Sequence, residues 1–257
     1  MAAELNQSVV FMDLDHTLLE GPFEPLVFPR VLGELSRKTG LDFDSLLSLA
    51  RQENRDRQAD PSCPAERAMD WDDIFAQLAL RFDVRLETSA LELVQAHPGP
   101  PYSRLLPGAR EALERLAAAR PRRALVLATK GLLRYQGPVL EALGLTSFFD
   151  DILAPDTRSA LKKSLAFYEP WPEKTRLQIM VGDTYEDDVE PARRFGFRTV
   201  WKTHRPEGTA AETDPFTRAG QNLNGAKGPV PPPDAVIYSL DELPEVIDRL
   251  HHETLQA

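Results

Sequence analysis

Two short runs constrain this chain more than any other feature. Arg123 to Thr129 (RALVLAT) and Leu177 to Asp183 (LQIMVGD) are apolar for most of their length and stop at a polar residue. A strand wetted on one face alternates apolar and polar side chains, whereas one covered on both faces is apolar throughout. FRTVW (197–201) and DAVIYSL (234–240) are shorter runs of the same kind. Helical spacing lies between them. PGAREALERLAAA opens on Pro107 and Gly108 and places Ala109, Leu113, Leu116 and Ala117 on one stripe, and Leu243, Val246, Ile247 and Leu250 repeat the spacing. Alternation of buried strands and one-sided helices predicts an α/β fold, a Rossmann-like three-layer α/β/α core around a parallel sheet.

Residues 20–105 read differently. They hold several helical patterns, such as Ile74, Phe75, Leu78 and Phe82, and no convincing strand. The chain therefore divides into a core of residues 1–19 and 106–257 and an all-helical insert of residues 20–105 placed after the first strand. Both connections of that insert should lie near the first strand's carboxyl end, where a lid would sit. Residues 205–234 are rich in Gly, Pro, Ala and Asn without apolar periodicity, and read as a long mobile loop.

Composition excludes several functions. A formal net charge of −10 argues against general attraction to nucleic acid or to an anionic membrane, so an anionic ligand must be held locally. One cysteine, Cys63, rules out an intrachain disulfide framework and a cysteine-rich zinc site. The first residues, MAAELNQ, lack the charged and apolar regions of a secretory signal, and no run approaches the ~20 apolar residues of a membrane span. The expectation is a cytoplasmic protein, monomer or homodimer, with no nucleic-acid or membrane partner.

The candidate chemistry lies where the apolar runs stop. SVVFM leads into Asp13, Leu14 and Asp15; RALVLA leads into Thr129, Lys130 and Gly131; LQIMVG leads into Asp183, with Asp187 and Asp188 at the start of a helix. In extended chain, residues i and i+2 face one side, so Asp13 and Asp15 should share a site. Open parallel sheets carry their ligand sites at the strands' carboxyl ends. Crowded carboxylates repel unless a cation neutralises them, and an oxygen-only set without clustered Cys or His suits a hard ion, Mg²⁺ first. Such an ion can hold a phosphate oxygen while one aspartate attacks phosphorus and a second carboxyl handles the proton.

FMDLDHTLL, LATKG, LKKSLAFY and MVGDTYEDDV together resemble the four motifs of the haloacid dehalogenase (HAD) superfamily, in its phosphatase-like branch. The resemblance covers the core, and the insert resembles a C1-type cap by position and character. It implies an Mg²⁺-dependent phosphatase that cleaves a small phosphorylated metabolite through an aspartyl-phosphate. Asp13 would be the nucleophile. Asp15 would be the general acid and base, with its main-chain carbonyl on the magnesium. Thr129, with Lys130 behind it, would bind the phosphoryl group, and a lysine of the Lys162–Lys163 pair would offset its charge. Lys162 fits one family spacing and Lys163 another, with a slight lean to Lys163. Asp183 would bind the metal directly and Asp188 would ligate it or stand behind it, so that the metal set is Asp13, Asp15, Asp183 and Asp188. Asp187 stands where relatives often have Asn.

Other readings stay beside these. Phosphomutase-type transfer on a sugar phosphate and non-catalytic binding of a phosphorylated ligand are the functional alternatives. Asp15 favours a phosphatase over a dehalogenase, because only a poor leaving group needs a proton donor there. His16 reads as structural, turned away from the site by strand alternation. Arg51, Arg55 and Arg57 read as a solvated helix face, with contact to a second anionic group of the substrate on lid closure the alternative. Trp71 and Phe75 read as packing of the insert, with stacking on a ring-bearing substrate the alternative.

Overall fold

The computed structural model describes residues 7–205, 214–219 and 231–255. Eight strands lie among them: β1 Ser8–Met12, β2 Leu19–Glu20, β3 Arg104–Leu105, β4 Ala124–Ala128, β5 Asp151–Leu153, β6 Leu177–Gly182, β7 Arg198–Lys202 and β8 Ala235–Ile237. Six form one sheet in the order β5-β4-β1-β6-β7-β8, every pairing parallel.

Burial on both faces explains the continuous apolar runs. Val10, Met12, Leu125, Leu127, Ile179 and Val181 point to one face, against Leu113 and Leu116 of helix Ala109–Ala118 and Val246, Ile247 and Leu250 of helix Leu243–Leu255. Val9, Phe11, Ala124, Val126 and Met180 point to the other, against Phe167, Tyr168, Ala192 and Phe197. Each strand thus divides its alternate residues between two dry layers, and no wet face remains to enforce polar alternation.

The insert follows β1 as a set of helices, with Phe28–Thr39, Phe43–Ala59 and Trp71–Arg81 the longest. Asp42 and Asp70 cap the second and third by accepting backbone N–H bonds from Ser45 at 2.8 Å and Asp72 at 3.1 Å. Leu32, Leu35, Leu46, Ile74 and Phe75 are buried in the same apolar cluster as Val10 and Met12, so insert and core share one continuous interior.

Two details differ from the sequence expectation. The insert is not strictly all-helical: β2 and β3 pair antiparallel at its neck, Leu19 with Leu105 and Glu20 with Arg104, a ribbon too short to leave a periodic pattern. The mobile-loop reading of 205–234 falls mostly on residues 206–213 and 220–230, outside the described residues. Within its described part lies a short helix, Pro215–Ala219, whose buried Arg218 reaches Glu242 at 2.9 Å. No helix among the described residues is long and apolar enough to cross a membrane.

Candidate active site

Three adjacent strands deliver the site. β1 lies between β4 and β6, and Met12 is level with Leu127 on one side and Val181 on the other. Asp13, Thr129 and Asp183 therefore emerge side by side just beyond the ends of neighbouring strands. The Asp13 N–H still donates to Val181 O at 2.9 Å and the Thr129 N–H to Leu153 O at 3.0 Å, which fixes both backbones before their side chains enter the site.

Asp13 is buried and fully engaged. Its Oδ2 accepts from the Thr17 hydroxyl at 2.9 Å, and its Oδ1 accepts from Lys162 Nζ at 2.6 Å. Lys162 is 1% exposed at its side chain and lies 2.6 Å from Asp188 Oδ1 as well, an ion pair rather than an aligned hydrogen bond. Burial works against its charge, yet Asp13 and Asp188 outweigh burial and raise its pKa, so it stays an ammonium. Lys163, to which the spacing leans, is half exposed and sits 2.9 Å from Asp187. Of the pair, Lys162 is the one brought to Asp13.

Asp188 reaches the site because Gly182 lets it. A Cβ on Gly182 would lie 2.2 Å from Asp188 Oδ2, which instead accepts the Thr184 N–H at 2.9 Å. Asp13, Asp183 and Asp188 each present a carboxylate oxygen within 4.8 Å of the others. Burial first, then Asp13, raises the pKa of Asp183; burial and Asp13 also raise Asp188 against the pull of Lys162. Three carboxylates against one ammonium leave a double negative charge, which one divalent cation cancels. All three donors are hard oxygens, so the residues fit Mg²⁺.

Asp15 takes a separate position. Its carboxylate is not one of the trio; its Oδ2 accepts from Gln136 Nε2 at 2.7 Å. Burial, then the charge of Asp13, raises its pKa to about 6, against the lowering effect of the Gln136 bond. Glycines again make the room: a Cβ on Gly21 would sit 2.6 Å from Asp15 Oδ1, and one on Gly131 would sit 2.3 Å from Gln136 Nε2. A carboxyl held this way can carry a proton near neutral pH, next to a second carboxylate that is paired with an ammonium.

The Thr129 hydroxyl accepts the Gly131 N–H at 3.0 Å, which leaves its own proton free to donate. Lys130 Nζ lies 2.6 Å from Asp187 and lines the cavity above Asp15. Asp187, between Lys130 and Lys163, has its pKa lowered by them despite burial. His16 does not turn away. Its backbone is left-handed, with φ 60°, because the strand has already ended at Met12, and it lines the same cavity while its carbonyl accepts from Lys202 at 2.8 Å. Arg57 is buried rather than solvated, 2.6 Å from Asp73. Phe75 is packed inside the insert at 1% exposure, whereas Trp71 is part-exposed on the cavity wall.

Two contributors escape sequence reasoning. Thr17 stands at the last position of the DxDxT pattern, a signal available but given no role. Gln136 lies inside helix Leu133–Ala142, where nothing local sets one glutamine apart.

No family model matches the chain. A phosphoserine phosphatase from Thermus thermophilus is 30% identical over 249 residues, which covers 80% of this chain and 93% of that protein. Among solved structures, an HAD phosphatase from Thermococcus onnurineus superposes with a TM-score of 0.64 at 26% identity, covering 93% of this chain and 97% of its own. The HAD-hydrolase YfnB from Bacillus subtilis, bound to magnesium, gives a TM-score of 0.61 at 15% identity over 95% of this chain and 99% of its own. The L-2-haloacid dehalogenase of Xanthobacter autotrophicus gives 0.60 at 19% over 95% and 98%. The last two show likeness of fold alone.

Proposed function

This chain belongs to the haloacid dehalogenase (HAD) superfamily of hydrolases, and we propose that it is an Mg²⁺-dependent phosphatase that cleaves a small phosphorylated metabolite through an aspartyl-phosphate. One observation carries the reading: Asp13, buried against the Lys162 ammonium, is accompanied two residues on by Asp15, a carboxyl with a raised pKa and its own amide partner.

An Asp13 carboxylate oxygen attacks phosphorus as the ester oxygen leaves with the proton of Asp15. The acyl phosphate then takes up water, whose proton returns to Asp15, and phosphate departs to restore Asp13. Lys162 and the Thr129 hydroxyl hold the phosphoryl oxygens, and Thr17 fixes the attacking carboxylate. Asp13, Asp183, Asp188 and the Asp15 carbonyl would hold the magnesium. When bound, the ion supplies charge neutralisation and orientation for the phosphoryl group. The helical insert, with its two connections joined beside Asp15, serves as a lid.

The phosphoserine phosphatase relative and the HAD phosphatase of Thermococcus support phosphate-ester hydrolysis. Membership of this superfamily leaves a second reading, cleavage of a carbon–halogen bond, for which a proton donor two residues after the nucleophile has no use. The test is release of inorganic phosphate from a metabolite panel with Mg²⁺, run beside halide release from 2-chloropropionate. Phosphate without halide is expected; halide without phosphate would overturn the assignment.

A further inference from the structure

The phosphoryl end of the site opens into a cavity of about 980 Å³ between core and insert. Ligand cavities of roughly 300–1,000 Å³ enclose molecules of drug size, well beyond a leaving group of two or three carbons. One wall is aromatic. Phe23, Phe28 and Trp71 of the insert meet Tyr135 of the core, with ring centroids 5.0 Å apart for Phe28 and Trp71 and 5.5 Å for Phe23 and Tyr135.

The polar groups on this wall are already engaged. Gln136 Nε2 is held by Asp15, and Asn54 donates to Ala68 O at 2.7 Å while accepting from Gln58 Nε2 at 2.8 Å. The lysine and arginine that line the cavity each have a carboxylate partner, Lys130 with Asp187 at 2.6 Å and Arg104 with Glu20 at 2.7 Å. Asp15, His16, Glu20 and Glu24 line it too, Glu20 within its pair with Arg104 and Glu24 3.8 Å from Arg51. Among the described residues, the lysine and arginine on the lining are each already paired with a carboxylate, so a second phosphate or a carboxylate on the substrate would have to break such a pair, whereas a ring would meet the part-exposed faces of Phe23 and Trp71.

We infer that the substrate is a phosphate monoester of an uncharged, ring-bearing alcohol, with part-exposed Trp71 as the platform for the ring. This rests on the phosphatase reading and narrows it. Trp71 is held in place from both sides, by Asp70 capping its helix at Asp72 N and by the packing of Phe28.

The test compares kcat/KM for 2-phenylethyl phosphate, ethyl phosphate, O-phosphoserine and phosphoglycolate, all with poor alkoxide leaving groups, so that recognition rather than leaving-group chemistry decides. The ring substrate should exceed each of the others by about tenfold or more. Trp71→Ala, and Trp71→Leu as a variant that keeps apolar volume, should bring the ratio of kcat/KM for 2-phenylethyl phosphate over ethyl phosphate down from about tenfold to less than about threefold. Phosphoserine or phosphoglycolate turned over as well as the ring substrate would overturn the inference and leave the phosphatase reading intact. If no compound releases phosphate, that reading fails. Calorimetry with 2-phenylethyl phosphate and phosphoserine then decides the cavity: tighter binding of the ring compound, lost in the Trp71 variants, upholds the inference, and equal or weaker binding overturns it.

Discussion

Gln136 Nε2 donates to Asp15 Oδ2 at 2.7 Å, joining a helix of the core to the loop that leaves β1. The amide has no proton to give in the reaction; it sets where the Asp15 carboxyl points. Gln136→Leu keeps the buried volume and removes the bond. The expected result is a loss of about 10- to 100-fold in kcat on an alkyl phosphate, with a clearly smaller loss on p-nitrophenyl phosphate, whose leaving group needs little protonation. Steady-state kinetics on the two substrates check it; equal losses would show that Gln136 serves the fold and not the acid.

The two neighbouring lysines should part company. Lys162→Met leaves Asp13 and Asp188 buried without their ammonium, with an expected destabilisation of about 3 kcal/mol and loss of turnover. Lys163→Ala removes a half-exposed partner of Asp187 and should change stability by less than about 0.5 kcal/mol. Urea denaturation and phosphate release on both variants make the comparison. The reverse pattern would return the assignment to Lys163.

Asp13→Asn should abolish turnover while the thermal unfolding temperature stays within a few degrees of the parent, since an amide fits the same space between Thr17 and Lys162. Addition of EDTA should likewise abolish activity, and Mg²⁺ should restore it. Mg²⁺ should also raise the unfolding temperature of the parent protein, because a ligand of the folded state alone stabilises it, and that rise should vanish in Asp183→Asn. A rise that persists in the variant would place the ion elsewhere.

Glu34 provides a pH test away from the site. Its buried carboxylate accepts from Lys38 Nζ at 2.7 Å, Glu87 N at 2.9 Å and Thr88 N at 3.1 Å. Burial opposes its charge, but these bonds prevail and push its pKa down from 4.5 to about 2. The unfolded chain takes up the proton first as pH falls. The stabilisation is therefore complete above about pH 4.5 and is lost toward about pH 2. Glu34→Gln should cost about 2 kcal/mol at neutral pH, and the gap to the parent should close across that acid window, as followed by urea denaturation.

The core was legible because burial on both faces writes itself as unbroken apolar sequence, and because each such run ends on a residue that sheet geometry carries to one edge. Met12, Leu127 and Val181 lie level, which is why the ends of three separate apolar runs bring Asp13, Thr129 and Asp183 together. What escaped depends on contacts between distant segments. Gln136 and Asp15 are far apart in sequence, and the glycines at 21 and 131 that make room for them look like ordinary turn residues. Lys162 and Lys163 differ by one step along the chain, a step that decides which points inward and which toward solvent. Strand alternation does not extend to His16, because the strand has already ended at Met12 and the chain turns left-handed there.

The two-residue ribbon formed by β2 and β3 brings the departure and return of the helical insert to a single point of attachment. Because both ends meet there, a change of length within the insert leaves the chain path at Asp13, Thr129 and Asp183 to the sheet, while the insert's shape stays tied to the apolar interior it shares with the core. Under the function proposed above, the wall that meets the substrate can therefore change while the strand ends that carry Asp13, Thr129 and Asp183 stay as they are.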